Sequence, residues 1–420
     1  MNGQGPLLWF FLAALAISAA LKWILASINI GHLRKNADRV PEGFAGEIDT
    51  ITLSRMSRYT AENSRFGSME SLFGNLVILA AVLSGFFPWL AARVDSAGLH
   101  PILSGLVFFG ILGIADALLD IPFDAYRTFG IEKKYGFSTI TPHIWAVDLL
   151  KGFLVSAVLL SLLLAPLLAL IRWSAWWWFF AWIFFLAFQL LMLWLYPVLI
   201  APLFNKYEPV RDEALRGEIL DLARRGGIHV EGVFQMDAAK RSRHSNAYFT
   251  GIGRTKRIVL FDTLLKSHSR QEILAVLAHE IGHWTRKHVL KQILFLATVS
   301  FLLFFLSSLL LYQPQLYRDF GFGQTVPYAG LFLVVLLFQP IIFLLTPAGA
   351  AMSRNYELQA DDESVRLLGG PDPLIAALKR LAKDNLANLH PHPLFAWFYY
   401  SHPPLVGRIS RLRGGHVVRT

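Results

Sequence analysis

Long apolar runs separated by short charged segments dominate this chain. Seven of them approach the ~20 residues that a helix needs to cross a bilayer core, at 7–28, 70–91, 101–121, 145–170, 175–200, 289–312 and 328–352. Only a few residues around Arg172 and Ser174 separate the fourth run from the fifth, which predicts an antiparallel hairpin. The pattern predicts a multi-pass membrane protein with seven helical spans.

Two stretches outside these runs have the mixed polar and apolar pattern of a soluble domain. Apolar positions at helical spacing, in two cases ended by a glycine pair, predict helices at 211–226, 270–287 and 356–368. Short runs rich in β-branched and aromatic residues predict strands at 230–235, 246–250 and 257–261. This order of elements predicts a small α+β domain set between membrane spans.

The composition supports the membrane assignment and narrows the chemistry. Of the 420 residues, 55% are hydrophobic and only 16% are charged, against about a quarter charged in a soluble domain. The chain has no cysteine, which excludes disulfides, thiolate metal ligands and a cysteine nucleophile. Any transition metal is therefore held by His, Asp or Glu.

The formal net charge of +10 could indicate binding of nucleic acid or anionic lipid, but in a membrane protein basic loops that orient the helices are the better interpretation. Basic residues are concentrated after the first, third and fifth apolar runs and in the tail after the seventh. By the positive-inside rule, the N-terminus lies outside and these loops and the tail are cytoplasmic.

The strongest chemical signal is the sequence His-Glu-Ile-Gly-His at 279–283. His279 and His283 are four residues apart, so on a helix they lie on one face and can bind one Zn²⁺ together. Glu280 is placed to activate a water rather than to bind the metal. The alternative is two histidines on a polar helix face with an unrelated glutamate.

A catalytic zinc ion needs a third protein ligand, and the best candidate is Glu357. Asp361 follows it by four residues and shares its helix face, where it can contact a ligand's outer nitrogen or the reacting centre. The alternative is a solvated acidic stretch, because Asp362 and Glu363 follow. The residues by themselves leave both interpretations open.

With these residues on one chain, the sequence resembles the M48 metallopeptidases, and specifically the Ste24-type CAAX prenyl proteases. The resemblance covers nearly the whole chain. Besides the zinc motif and Glu357 with Asp361, it includes Pro122-Phe123, Tyr135-Gly136-Phe137, 202–205, 244–251, 258–263 and Ser401-His402-Pro403-Pro404. Separated motifs in the family's order are more specific than the zinc motif alone.

The resemblance implies a mainly α fold, a seven-transmembrane α-helical barrel enclosing a chamber with a small gluzincin-like α+β zinc protease domain. It implies one zinc per chain, held by His279, His283 and Glu357. We expect four segments: residues 1–200 with spans 1–5, a cytoplasmic α+β segment at 201–288, residues 289–352 with spans 6 and 7, and a tail at 353–420 that carries the third ligand and closes the active site.

The resemblance also implies roles around the zinc. Asn246 and Ala247 match the edge strand that pairs with substrate, and His402 matches an oxyanion stabiliser, although it is otherwise a turn histidine before Pro403-Pro404. Asp361 matches a proton-donor position, whereas its spacing suggests an orienter of a zinc-binding histidine. Arg354 is expected to pair with an acid at the site or with a substrate carboxylate.

The predicted function is a zinc endopeptidase that cuts near the C-terminus of prenylated CAAX-type or other membrane-associated substrates. One alternative is a quality-control protease resembling the HtpX branch, for which four spans are expected. Another is a non-proteolytic zinc-containing receptor or transporter, which predicts loss of the glutamate present here as Glu280. The C-terminal sequence has no lysine-based retention signal, which favours a bacterial inner membrane over the endoplasmic reticulum. The oligomeric state is left open, with a monomer possible.

Overall fold

The computed structural model describes residues 5–251 and 256–414. These residues are mainly helical, with one small sheet. In chain order the α-helices are α1 (Pro6–Lys35), α2 (Thr50–Leu83), α3 (Phe86–Ser96), α4 (Pro101–Ala125), α5 (Pro142–Trp173), α6 (Trp177–Leu195), α7 (Ala201–Phe204), α8 (Glu213–Arg225), α9 (Asp262–Ser267), α10 (Arg270–Thr285), α11 (His288–Leu310), α12 (Pro314–Asp319), α13 (Pro327–Leu344), α14 (Thr346–Leu368), α15 (Asp372–Asp384), α16 (Pro393–Tyr399) and α17 (Leu405–Leu412). The strands are β1 (Tyr207–Pro209), β2 (Gly232–Met236), β3 (Ala247–Thr250) and β4 (Arg257–Phe261).

Within the described ranges, seven helices are long and apolar enough to cross a membrane, which confirms the predicted number of spans. They are α1, α2, α4, α5, α6, α11 and α13. A π-helical turn extends α4 as far as Glu132, and another extends α6 into α7.

Packing closes the seven spans into a ring. The helices α4, α5, α6 and α11 follow one another as neighbours, α13 packs against both α11 and α1, and α1 packs against α2. The short helix α3 contacts both α2 and α4 and completes the circuit. A cavity of about 750 Å³ is lined mainly by α4 and α5, together with Arg241 and Ser242 from the α+β domain.

Two span boundaries differ from the prediction. The second apolar run is not one helix, because α2 ends at Leu83 and α3 begins at Phe86 after Gly85, whose φ of 73° lies in the left-handed region. The seventh span ends at Leu344, and a separate helix begins at Thr346. Pro347 lies in the first turn of that second helix and has no N–H to continue the hydrogen-bond ladder. The helix that carries Glu357 is therefore not a continuation of the last span.

The α+β domain contains a four-stranded sheet in the order β1-β2-β4-β3. The central strands β2 and β4 are parallel, and the two outer strands run antiparallel to them. The three predicted strands are present, whereas β1 was not predicted. Apolar residues of the sheet pack against α8 and α10, with Val233, Ile258, Ile219 and Leu277 buried between them.

The helices α10 and α14 pack closely in opposite directions. Ala275 accepts a hydrogen bond from Ser364, and Gly282 lies against Ala360. A Cβ atom on Gly282 would lie 2.8 Å from the Cα of Ala360, so only glycine permits this approach. The contact brings His279 and His283 opposite Glu357.

Residues 1–4, 252–255 and 415–420 lie outside the described residues. The C-terminal sequence on which the expectation of a bacterial membrane depends falls in the last of these segments.

Candidate metal centre

The metal-binding candidates are held by the two antiparallel helices. α10 begins with a capping box in which Ser269 and Glu272 each bond the other's backbone N–H. Two turns later it presents His279 and His283 towards α14. Their Nε2 atoms are 3.2 Å apart, and each is 3.3 Å from a different carboxylate oxygen of Glu357.

These distances fit a zinc ion. Tetrahedral bonds of about 2.0–2.1 Å place ligand atoms about 3.3–3.4 Å from one another. The two imidazole nitrogens are 3.2 Å apart, and each is 3.3 Å from one oxygen of Glu357, so the spacing of these three side chains is close to that of zinc ligands. Two imidazoles and a carboxylate are also a donor set that suits Zn²⁺ in a catalytic site.

Glu357 is buried, with only 4% of its side chain exposed. Burial alone raises the pKa of this carboxyl, but hydrogen bonds from His279, His283 and His402 outweigh burial and hold the pKa below its usual range. Glu357 is therefore ionised at neutral pH, as a metal ligand must be. The solvated acidic stretch considered from the sequence does not describe Glu357.

Asp361 lies behind His279 rather than at the open side of the site. Its Oδ1 is 2.9 Å from Nδ1 of His279, the nitrogen that points away from the other two candidate ligands. Arg408 of α17 forms a bidentate ion pair with the same carboxylate. Burial raises the pKa of Asp361, but the hydrogen bond with His279 and the charge of Arg408 lower it overall. None of its side chain is exposed to solvent, a position that favours the orienting role suggested by its spacing over the proton-donor role implied by the resemblance.

His283 has an outer partner of its own, which the sequence analysis missed. Its Nδ1 lies 3.1 Å from Nδ1 of His288, and Nε2 of His288 lies 3.2 Å from Oε1 of Gln359. The His288 ring is buried and stacks on Tyr356 with a centroid separation of 4.3 Å. His288 and Gln359 therefore lie behind His283 as Asp361 lies behind His279.

Glu280 and His402 lie on the open side of the candidate metal centre. Glu280 is partly exposed, and burial raises the pKa of its carboxyl, although the neighbouring His279 and His283 oppose this. Nδ1 of His402 is 2.7 Å from Glu357, and 61% of its side chain is exposed. The exposed ring remains accessible to a bound peptide, unlike that of an ordinary buried turn histidine.

Asn246 and Ala247 lie at the start of β3, the edge strand of the sheet beside α10. One side of β3 pairs with β4, where Ala247 lies opposite Leu260. Just before the strand, the side-chain amide of Asn385 bonds both the N–H and the carbonyl of Ser245. The backbone at the start of the edge strand is therefore held in a defined position.

His244 connects the same segment to Glu132, the last residue of the π-helical turn that extends α4. Its Nδ1 is 3.1 Å from Oδ1 of Asn385, and its Nε2 is 3.2 Å from a carboxylate oxygen of Glu132. Phe137 stacks on the ring at 4.0 Å. Burial lowers the pKa of His244, but the hydrogen bonds with Glu132 and Asn385 raise it overall.

Arg354 does not form the expected ion pair with an acid at the site, and a contact with a substrate carboxylate stays a prediction. No acidic side chain within the described ranges pairs with it. Its Nη1 donates instead to the carbonyls of Ala396, Trp397 and Tyr400, at 3.4, 3.1 and 2.8 Å. These carbonyls belong to the end of α16, where the last carbonyls of a helix lack helical partners, although that of Ala396 also accepts from the N–H of Tyr400. Arg354 therefore caps that helix.

Known proteins match the chain along most of its length. Residues 29–206 match the N-terminal domain of CAAX prenyl proteases, described as five membrane helices, and residues 209–415 match peptidase family M48. The CAAX prenyl protease 1 homolog of Mus musculus is 33% identical over 91% of this chain and 90% of its own length. CAAX prenyl protease 1 of Saccharomyces cerevisiae is 34% identical over 89% of this chain and 88% of its own length.

A solved structure has the same fold. The crystal structure of S. mikatae Ste24p superposes with a TM-score of 0.91 at 30% sequence identity, covering 97% of this chain and 99% of that one. Similarity of this extent includes both the ring of membrane helices and the domain that carries the metal-binding candidates. The chain therefore belongs to peptidase family M48, among relatives of the CAAX prenyl proteases, and is a multi-pass membrane metalloendopeptidase.

Proposed function

We propose that this enzyme uses a single zinc ion to hydrolyse peptide bonds near the C-terminus of prenylated, CAAX-type membrane-associated peptides. One observation carries the proposal: ligand atoms of His279, His283 and Glu357 lie within 4.8 Å of one another, with the two imidazole nitrogens 3.2 Å apart. The domain that holds them also presents an edge strand and is joined to a ring of membrane helices. The similarity to proteins named CAAX prenyl proteases over about nine-tenths of the chain supports the substrate class.

A zinc ion held by these three side chains acts as a Lewis acid and lowers the pKa of water. Glu280 accepts a proton from the attacking water and delivers it to the leaving amine. Its raised pKa suits a group that must both accept and release a proton near neutral pH. His402 donates a hydrogen bond to the oxyanion that develops on the scissile carbonyl.

Asp361 and His288 are positioning residues in this scheme. A histidine that binds zinc through Nε2 carries its proton on Nδ1 and needs an acceptor there. Asp361 accepts from His279, and the unprotonated Nδ1 of His288 accepts from His283. His288 then carries its own proton on Nε2 and donates it in a hydrogen bond to Gln359. In this scheme the 2.9 Å contact with Asp361 and the 3.1 Å contact with His288 define the tautomers of His279 and His283.

The peptide backbone is held by strand addition. An extended substrate adds to β3 at Asn246 and Ala247 through main-chain hydrogen bonds, which leaves a carbonyl over the metal centre. The clamp of Asn385 on Ser245 keeps that edge in register. Arg354 contributes indirectly, because it fixes α16, which is followed closely by His402.

The cavity of about 750 Å³ beside α4 and α5 belongs to the chamber that receives the substrate. Its apolar lining from the two helices suits a lipid chain, whereas Asp148 and Arg241 line its domain end. The concentration of basic residues in alternate loops supports a cytoplasmic location for the α+β domain, residues 201–288, and the tail, residues 353–420. The prenylated end of a substrate thus reaches the metal centre from the cytoplasmic leaflet.

Cleavage of defined peptides by the purified full-length protein tests the proposal. A farnesylated CAAX peptide should be cut at a single bond near its C-terminus, and its unlipidated form should be cut much more slowly. Glu280→Gln should bind zinc with wild-type stoichiometry but lose activity by ~10²–10⁴-fold. The matched control Glu208→Gln changes an exposed glutamate of β1 and should behave as wild type. Equal cleavage of the two peptides would exclude lipid recognition, and full activity of Glu280→Gln would exclude the assigned base.

A further inference from the structure

A second cavity, of about 930 Å³, lies at the membrane boundary away from the metal centre. It is lined by the C-terminal end of α1, the first half of α2 and the π-helical turn that follows α4. Five basic side chains and one acidic side chain face it: Arg34, Arg55, Arg58, Arg65 and Lys134, with Glu62. Basic residues that only orient membrane helices are spread along loops, whereas these five line a single cavity.

Four of these cations have no acidic partner. Lys134 pairs with Glu62 at 2.7 Å, which neutralises the one acid of the lining. Arg55 donates to the carbonyl of Tyr135, which leaves its charge uncompensated. Arg34, Arg58 and Arg65 are exposed, and across the described residues no carboxylate lies within the 4.0 Å of an ion pair from any of them. The cavity therefore carries about four uncompensated positive charges.

These arginines lie beside the apolar parts of α1 and α2. Arg34 is the penultimate residue of α1, and Arg65 precedes the apolar half of α2. Arg58 lies two helical turns before Arg65 on the same face, about 10 Å away along the axis of α2. Basic side chains near the ends of membrane helices extend to the lipid headgroups, so we expect these guanidinium groups near the level of the phosphates.

An apolar groove continues from this cavity along the same two helices. The groove has a volume of about 530 Å³, and it shares Arg65 and Met69 with the basic cavity. Its lining consists mostly of small or apolar side chains, including Ala19, Trp23, Ala26, Ile30 and Leu72. Lys22, deeper in the groove, lies over the ring of Phe343 at 4.9 Å. A basic cavity that opens into a mostly apolar groove has the form of a site for a headgroup and an acyl chain.

We propose that the basic cavity and the adjoining groove bind one anionic phospholipid, with its phosphate held by Arg34, Arg58 and Arg65 and an acyl chain lying between α1 and α2. Basic pockets between membrane helices bind anionic headgroups by this charge complementarity. The groove favours a lipid over a free phosphate, because a soluble anion would leave the apolar surface between α1 and α2 uncovered.

Lipid titration of the detergent-solubilised full chain, followed by native mass spectrometry, tests this site. Phosphatidylglycerol should bind with one saturable stoichiometry and more tightly than phosphatidylcholine. Arg58→Gln/Arg65→Gln should weaken phosphatidylglycerol binding by about thirty-fold, because each cation near an anionic lipid contributes about five-fold. The matched control Lys35→Gln/Lys133→Gln removes the same charge from neighbouring exposed positions outside the cavity and should leave the affinity unchanged.

Several outcomes would overturn the site. Equal losses in the two double variants would mean that only general surface charge attracts the lipid. Glycerol phosphate, which lacks acyl chains, should compete poorly, and competition as strong as that of the lipid would indicate a free phosphate site. Displacement of the lipid by stoichiometric farnesylated peptide would make the groove a substrate path instead. Thermal unfolding of both double variants checks their folding, and the binding result is independent of whether the enzyme cuts any peptide.

Discussion

Replacement of His288 is the sharpest test of how the metal centre is held. His288→Phe keeps an aromatic ring that can stack on Tyr356, as the native ring does at 4.3 Å, but it removes the nitrogen 3.1 Å from Nδ1 of His283. The N–H of His283 then points at an apolar ring edge in a buried position. His283 is then free to change tautomer, which puts the proton on Nε2 and blocks metal binding, or to rotate, which takes Nε2 away from the 3.3 Å spacing with Glu357.

The expected loss follows from the unmade hydrogen bond. A buried donor left without an acceptor costs about 1–3 kcal/mol, and outer partners of metal ligands contribute 10–100-fold in metal affinity, about 1.4–2.7 kcal/mol. We therefore expect the dissociation constant for zinc to rise about 10–100-fold in His288→Phe. Competition of the purified protein with a fluorescent zinc chelator of known affinity measures this constant directly, without any peptide substrate.

Two further variants separate positioning from damage to the fold. In His288→Asn the side-chain oxygen occupies nearly the place of the lost Nδ1, so zinc affinity should stay within about five-fold of wild type. His229→Phe removes an exposed histidine and should have no effect. The reasoning is refuted if His288→Phe binds zinc as tightly as wild type, or if the Phe and Asn variants lose the same affinity.

Three other predictions follow from the site. Asp361→Asn should weaken zinc binding at least ten-fold. It should also lower the thermal unfolding midpoint, because the buried Arg408 loses its bidentate partner at a cost of about 3 kcal/mol or more. An unchanged zinc affinity and midpoint would contradict the positioning role of Asp361. Removal of the metal by a chelator should abolish peptide cleavage, and Zn²⁺ but not Mg²⁺ should restore it, since imidazole ligands suit zinc. Recovery of cleavage with Mg²⁺ would contradict the ligand assignment. The raised folded-state pKa of His244 adds stability that is fully present below pH 6.5 and lost as the pH rises through that pKa. The thermal unfolding midpoint should therefore fall above pH 6.5, and an equal fall in Glu132→Gln would contradict the role of the His244–Glu132 contact.

Much of the site could be predicted because its chemistry is local in sequence. His279 and His283 share a helix face by the four-residue spacing alone, as do Glu357 and Asp361. The same argument does not say which outer partner each histidine has. His288 follows His283 by five residues across a helix break at Lys287, whose φ is 55°, and no helical spacing predicts that contact. A histidine shortly after the zinc motif was the one available signal.

Other contacts depend on segments distant in sequence. Arg408 reaches Asp361 from 47 residues away, and Arg354 caps a helix that begins about 40 residues later. The capping role escaped prediction because a lone arginine beside acidic residues looks like an ion-pair partner. The strand β1 has only three residues and pairs through backbone bonds to β2, so its side chains carry little signal.

The sequence by itself determined the number of membrane spans, three of the four strands and the residues able to hold a metal, because each depends on the pattern of apolar residues in one segment or on spacing within one helix. Only the tertiary structure decided where the last span breaks, which groups lie behind His279 and His283, what Arg354 does, and that the arginines of α1 and α2 face one cavity. These depend on the approach of helices at a close contact such as Gly282 with Ala360. Approach of that kind is set by packing of the whole ring and domain, which no single segment encodes.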